Sequence, residues 1–201
     1  MGKITVNISL SLDGVMQAPG RPDEDTRGGF KHGGWAAPYF DPVMANNASA
    51  GMDAMPQLLF GRRTYENFYA VWPNRTDNPF TGFLNMAQKY VVSRKLEAPL
   101  PWQNSTLLKG DAAETVSKLK QETSQDLLVM GSGVFVQSLL RNNLVDVLAL
   151  SIHPLVIGEG RRLFTEDLPF AAFQLADSKT TSTGVIMATY VPSQPMTRTS
   201  A

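Results

Sequence analysis

The sequence predicts an α/β domain of three layers, α/β/α, on a mainly parallel mixed sheet that ends in antiparallel strands. Three observations carry this expectation. Short apolar runs give way repeatedly to helix-like segments, the pattern of strands joined by crossover helices. The first run, Ile4, Val6, Ile8 and Leu10, alternates with polar residues at the period of a strand. The last two runs, "FQLADSKT" and "GVIMATYV", follow one another with no helical segment between them, as an antiparallel edge pair does. A chain of 201 residues, 43% apolar and 18% charged, can bury one sizeable core. No repeat or linker divides it, so residues 1–192 are expected to form a single domain.

The elements follow in order. After the first strand the chain breaks at Asp13-Gly14 into a long loop, "APGRPDEDTRGGFKHGG", rich in glycine, proline and charge. Long loops in compact domains often act as lids or binding segments, and residues 16–40 are the expected lid. Asp41 before Pro42 reads as an N-cap with proline at the first helical position. That helix should run to about Met55, with Val43, Met44, Met52 and Met55 as apolar contacts. "QLLFG" is a strand and "RRTYENFYAVW" opens a helix straight after it. "KYVVS" and "STLLKG" are two more strands. In "DAAETVSKLKQE", Asp111 is a cap and Glu114 stands three residues on, close to a capping box. "DLLVMG" is a strand, "VFVQSLLRNN" a helix and "DVLALSIHPLVIG" a long strand. Residues 193–201 lack apolar periodicity and are expected to be loose.

Composition removes several classes of function. With 18 basic and 18 acidic residues the formal net charge is zero, so no overall field draws nucleic acid or an anionic membrane. The chain has no cysteine, which excludes disulfides, a thiolate nucleophile and Cys-based metal sites. His32 and His153 lie far apart, so no metal centre is expected. The N-terminus alternates rather than forming the apolar core of a signal peptide, and no run approaches the roughly 20 apolar residues of a membrane span. A cytoplasmic protein is expected.

Three strand ends carry candidate chemistry. In "LLVMGSGVFVQ", Gly131-Ser132-Gly133 links a strand to a helix whose first N–H groups are free for an anion. A tight turn with Ser132 as N-cap accounts for it equally well, since Val136 stands where a dinucleotide fingerprint has its third glycine. In "LLFGRRTYENF", Arg62 and Arg63 oppose the helix macrodipole unless an anion sits there. The alternative is that they spread over the surface or pair with Glu66. Ser93-Arg94 closes "KYVVSR" with a hydroxyl beside a guanidinium, or is simply an exposed strand end. Ligands of open α/β sheets bind outside such carboxyl ends.

Together, "ITVNISLSLDGV", "LLFGRRTYENF", "KYVVSRKL", "LLVMGSGVFVQSLL" and "VDVLALSIHPLVIGEGRRLF" resemble, in order, the dihydrofolate reductase-like superfamily. The chain is most similar to the branch containing the C-terminal reductase domain of the bacterial riboflavin-biosynthesis enzyme. The resemblance spans Lys3 to about Pro192. It implies an NADPH-dependent oxidoreductase, acting as a homodimer, that passes a hydride to a C=N or C=O bond of a small heterocyclic substrate. It implies that Gly61, Arg62, Arg63 and Thr64 hold phosphates, with Arg62 facing the adenosine 2′-phosphate. Ser93 and Arg94 would flank that phosphate and the adenine. Gly131, Ser132, Gly133, Val134 and Phe135 would cradle the diphosphate.

For the substrate, the branch places an acid near the nicotinamide, which points to Asp13 as catalytic and substrate-binding. The alternative is a turn residue before Gly14. Trp35, Tyr39 and Phe40 are candidates to cover a flat ring, or ordinary core. His153, in an apolar strand, reads as a hydrogen-bonded core histidine. "GEGRRLF" reads as a mobile turn near the sheet edge, for cofactor or subunit contact. The stretch "VMQAPGRPDEDTRGG" departs from the riboflavin-pathway enzymes, and Asp41 and Asp53 do not match the folate-gripping acid of dihydrofolate reductases. The alternatives are therefore one of those two reductases proper, or a non-catalytic nucleotide- or flavin-binding protein of the same fold.

Overall fold

A computed structural model of the chain describes residues 1–193. The elements are β1 (Ile4–Ser11), α1 (Pro42–Asp53), β2 (Gln57–Gly61), α2 (Arg62–Val71), α3 (Phe80–Met86), β3 (Lys89–Ser93), β4 (Ser105–Lys109), α4 (Ala112–Glu122), β5 (Leu127–Met130), α5 (Gly133–Arg141), β6 (Val147–His153), β7 (Ala172–Thr180) and β8 (Ile186–Ser193). One 8-stranded sheet runs in the order β4-β3-β2-β5-β1-β6-β8-β7. From β4 to β6 all neighbours are parallel; β8 pairs antiparallel with both β6 and β7. The crossover connections, helical except between β3 and β4, return each strand to the same starting edge, so six carboxyl ends share one rim.

The period-2 pattern sorts side chains to the two faces. Leu59, with Ile4, Val6, Ile8 and Leu10 of β1, packs towards α4 and α5. Leu58 and Phe60, its chain neighbours, face α2 and α3 with Tyr65, Leu84 and Trp102. A third cluster, Val15, Ala18, Phe30 and Trp35, fills the underside of the loop after β1. No helix among the described residues is long and apolar enough to cross a membrane.

Several expectations are corrected. The strand expected to run from Asp146 to Gly158 stops at His153. Pro154 has no N–H for a ladder, and the Leu155 N–H turns back onto the His153 carbonyl at 2.8 Å. α1 begins where Asp41 caps it, its carboxylate accepting from the Val43 N–H. Of its four expected apolar contacts, however, only Met52 is buried, and Val43 and Met55 are exposed. α3 was not foreseen. Phe80, Phe83 and Leu84 do recur at helical spacing, and they pack on Trp102 and its neighbours. The carbonyls at its end are closed by Lys89, whose buried Nζ donates to Leu84 O and Ala87 O, both at 2.7 Å. Burial lowers that ammonium to about 8. Of the loose tail expected from residue 193, Ser193 closes β8, and the remainder lies outside the described residues.

Candidate functional site

Neighbouring strands β4, β3, β2 and β5 end side by side, and the turns after them converge on one cavity of ≈ 490 Å³. Gly61, Arg62, Arg63, Thr64, Ser93, Arg94 and Gly131 to Phe135 all line it. The sequence places these residues at separate strand ends; the sheet order makes the ends adjacent.

Two helices open onto the cavity without a side-chain cap, α2 after Gly61 and α5 after Ser132. By contrast α1 and α4 are capped by Asp41 and Asp111. An uncapped α-helix leaves its first N–H groups unpaired and its positive dipole end unmatched. Both features suit phosphate oxygens.

Ser132 does not cap α5, which corrects that reading of the motif. It sits in the left-handed region at φ 57, and its hydroxyl accepts from the Gly61 N–H at 3.2 Å. That bond fastens the β2 turn to the β5 turn. Close approach explains two glycines. A Cβ on Gly133 would come within 1.9 Å of Met16 Sδ, and one on Gly61 within 3.0 Å of Phe135 Cβ.

The cations are held unequally. Arg62 Nη1 donates to both carboxylate oxygens of Glu66, at 2.9 and 2.7 Å. Arg94 Nη2 donates to Asp111 Oδ2 at 2.5 Å. Arg63 has no carboxylate partner among the described residues. Ser93 Oγ accepts from the N–H groups of Lys95 and Leu96, both at 3.0 Å, which turns the chain at the end of β3.

Asp13, expected beside the substrate, does not line the cavity. Its carboxylate accepts from Ser11 Oγ at 2.7 Å, from the N–H groups of Ile157 and Gly158 at 3.1 and 2.9 Å, and from Arg162 Nη2 at 3.0 Å. The Ser11 hydroxyl, then those N–H groups and Arg162, hold it far below the ordinary carboxylate range. The carboxylate thereby ties the β1 turn to the segment after β6.

The three aromatic candidates also lie off the cavity wall. Trp35 is buried, and its Nε1 donates to Gln17 O at 2.7 Å. Trp35 and Tyr39 present ring edges to His153, at 5.2 and 5.7 Å between centroids. Phe40 is 67% exposed. His153 is fully buried; its Nδ1 lies 3.0 Å from Ser151 O, Nε2 has no partner among the described residues, and burial lowers its pKa.

Other walls escaped the sequence reading. Gly110 and Asp111 add a fourth strand end. "KG" followed by an Asp cap repeats the pattern of a glycine between strand and helix, which was the available signal. The lid contributes Met16, Gln17, Glu24, Asp25 and Arg27, α2 contributes Asn67 and Phe68, and the turn after β6 contributes Arg161. Gln17 organises that wall. Its Nε2 donates to Asp25 O and Arg27 O at 3.0 and 2.9 Å, and its Oε1 accepts from the Arg161 N–H at 3.0 Å. Nothing local in the sequence announces it.

Comparison with known proteins agrees with this architecture. Residues 2–187 match the RibD C-terminal domain family. The chain is 24% identical over 195 residues to the uncharacterized protein YyaP of Bacillus subtilis, covering 94% of each. Among solved structures it superposes on a putative riboflavin biosynthesis protein from Shewanella sp. PV-4 with a TM-score of 0.67 and 21% identity, covering 96% of this chain and 100% of that one. A diaminohydroxyphosphoribosylaminopyrimidine deaminase/5-amino-6-(5-phosphoribosylamino)uracil reductase from Thermotoga maritima gives a TM-score of 0.61 at 14% identity, over 96% of this chain and 57% of that one.

Proposed function

Because the chain belongs to the RibD C-terminal domain family, we propose that it is a cytoplasmic NADPH-dependent reductase of a small heterocyclic substrate. The observation that carries this reading is the pair of uncapped helices, α2 and α5, opening beside guanidinium groups onto a single cavity. Backbone N–H groups from Gly133 to Phe135 would hold a diphosphate; Arg62, Arg63 and Arg94, with Thr64 and Ser93, would hold the adenosine 2′-phosphate. Bound there, the dinucleotide supplies hydride from its nicotinamide to a C=N or C=O bond.

The rest of the wall positions the ring. Ile8, Met16, Ala18 and Phe68 offer apolar surface that excludes water, and Asn67 and Arg161 offer polar ends. The carboxylates on the wall are already engaged. Glu24 Oε2 accepts from the Gly20 N–H at 2.8 Å, Asp25 Oδ1 from Arg27 Nε at 2.6 Å, and Asp111 is paired with Arg94. The resemblance also implies a homodimer, and the exposed edge strand β7 leaves backbone groups open to a second copy.

Calorimetry with NADPH and NADH tests the assignment. Arg62→Ala should weaken NADPH about tenfold, the worth of a charge-assisted hydrogen bond, and leave NADH nearly unchanged. Equal losses would remove Arg62 from the 2′-phosphate. No heat with either dinucleotide, on folded protein, would reject the reductase reading.

A further inference from the structure

The three arginines at the strand ends do not face an incoming phosphate on equal terms. Arg62 gives one nitrogen, Nη1, to both carboxylate oxygens of Glu66, one helical turn along, at 2.9 and 2.7 Å. Arg94 is engaged by Asp111 at 2.5 Å, from the strand end next door. Only Arg63 among the three is without a carboxylate partner among the described residues. A carboxylate and a phosphate use the same N–H fork of a guanidinium. A dianionic group arriving here therefore meets two guanidinium groups that each already give one nitrogen to a carboxylate.

The two claims differ in kind. The Glu66 side chain is 43% exposed on the surface of α2, bonded among the described residues only to Arg62, and can swing into water. Asp111 cannot. Its Oδ1 accepts from the Ala113 N–H at 2.9 Å as the cap of α4, and it lines the cavity itself. The N–H groups of Ala113 and Glu114, together with Arg94, lower its pKa below the ordinary carboxylate value. A fixed negative charge thus stands on the wall beside the guanidinium it engages.

We propose that Asp111, and to a lesser degree Glu66, are specificity-determining residues whose carboxylates compete with the adenosine 2′-phosphate for Arg94 and Arg62, and so restrain the preference for NADPH over NADH. The inference rests on the dinucleotide reading above and concerns only the 2′-phosphate end of that site. A ligand without the 2′-phosphate has no quarrel with either carboxylate.

Asp111→Asn separates charge from structure, because asparagine caps a helix about as well as aspartate. Titration calorimetry of the wild type, Asp111→Asn and Glu66→Gln with NADPH and with NADH, at low and at high salt, is the test. Asp111→Asn should bind NADPH about three- to fivefold more tightly, the scale of an exposed ion pair, with NADH changed less than about twofold. Glu66→Gln should show a smaller gain, and both gains should shrink as salt screens exposed charge. An unchanged NADPH-to-NADH ratio in Asp111→Asn, an equal gain for both, or weaker NADPH binding would overturn the proposal. A wild type that binds NADPH rules on the cofactor reading separately; one that binds neither dinucleotide ends that reading and this inference together.

Discussion

Asp13, the carboxylate that the sequence offers as catalytic, is engaged on both oxygens in the fold and lies off the cavity wall. Its position after β1 is where the resemblance puts an acid, yet its oxygens accept from Ser11, Ile157, Gly158 and Arg162. Nothing in "SLDGV" announces those last three partners, which come from far along the chain. The arrangement has a pH consequence. The folded value lies below the unfolded one, which is near 3.9. The stabilisation is therefore complete above about pH 4 and is lost as pH falls through that value towards the folded one. Asp13→Asn should lower the melting temperature at neutral pH, and its deficit against the wild type should narrow on approaching about pH 3. Thermal melts across that range decide it: a deficit independent of pH would mean the carboxylate charge is irrelevant. Gly133 is the converse case. Its place in a Gly-Ser-Gly turn was legible, but the Met16 thioether lying on it was not.

At the scale of elements, legibility followed locality. β3 and β4 were readable almost to the residue, since β-branched and apolar runs end abruptly at Arg94 and Gly110. α3 was hidden, being only 7 residues long with a glycine inside. β6 was overextended because periodicity alone passes straight through a proline whose missing N–H ends the ladder. The lid was legible only as a long loop. What orders it is Gln17, buried, with its amide spanning Asp25, Arg27 and the Arg161 N–H. Gln17→Ala would leave those groups unpartnered at a cost of about 1–3 kcal/mol. Amide hydrogen exchange through residues 18–34 should then speed up while β1 and β5 stay protected. Uniform protection in the variant would show that Val15, Phe30 and Trp35 order the lid without it.

For the whole molecule, the strand order turns four scattered motifs into one site. Chain order is β2, β3, β4, β5, whereas the sheet places β5 beside β2 and sends β3 and β4 outward. No local pattern specifies that adjacency; it follows from how crossover helices cover both faces. This wall of the cavity was legible because each part is a few residues at a strand end. The opposite wall was not, because the lid, α2 and the turn after β6 meet only in the folded chain. Ligation should register globally. With NADPH at about 100 times its dissociation constant, binding to the native state alone adds about 2.7 kcal/mol. A clear rise in melting temperature should follow, larger than with NADH at the same concentration. Equal rises would place the 2′-phosphate outside the protein's grip.

The bare starts of α2 and α5 carry a consequence for evolution and for engineering. Installing a hydroxyl or carboxylate acceptor at Gly61 would offer α2 a cap worth about 1 kcal/mol, set against the crowding of its Cβ on Phe135. The same acceptor would take up amides that the proposed dinucleotide would use. Robustness and reception draw here on one set of donors, so a hardier descendant of this chain would have to find its firmness elsewhere in the molecule.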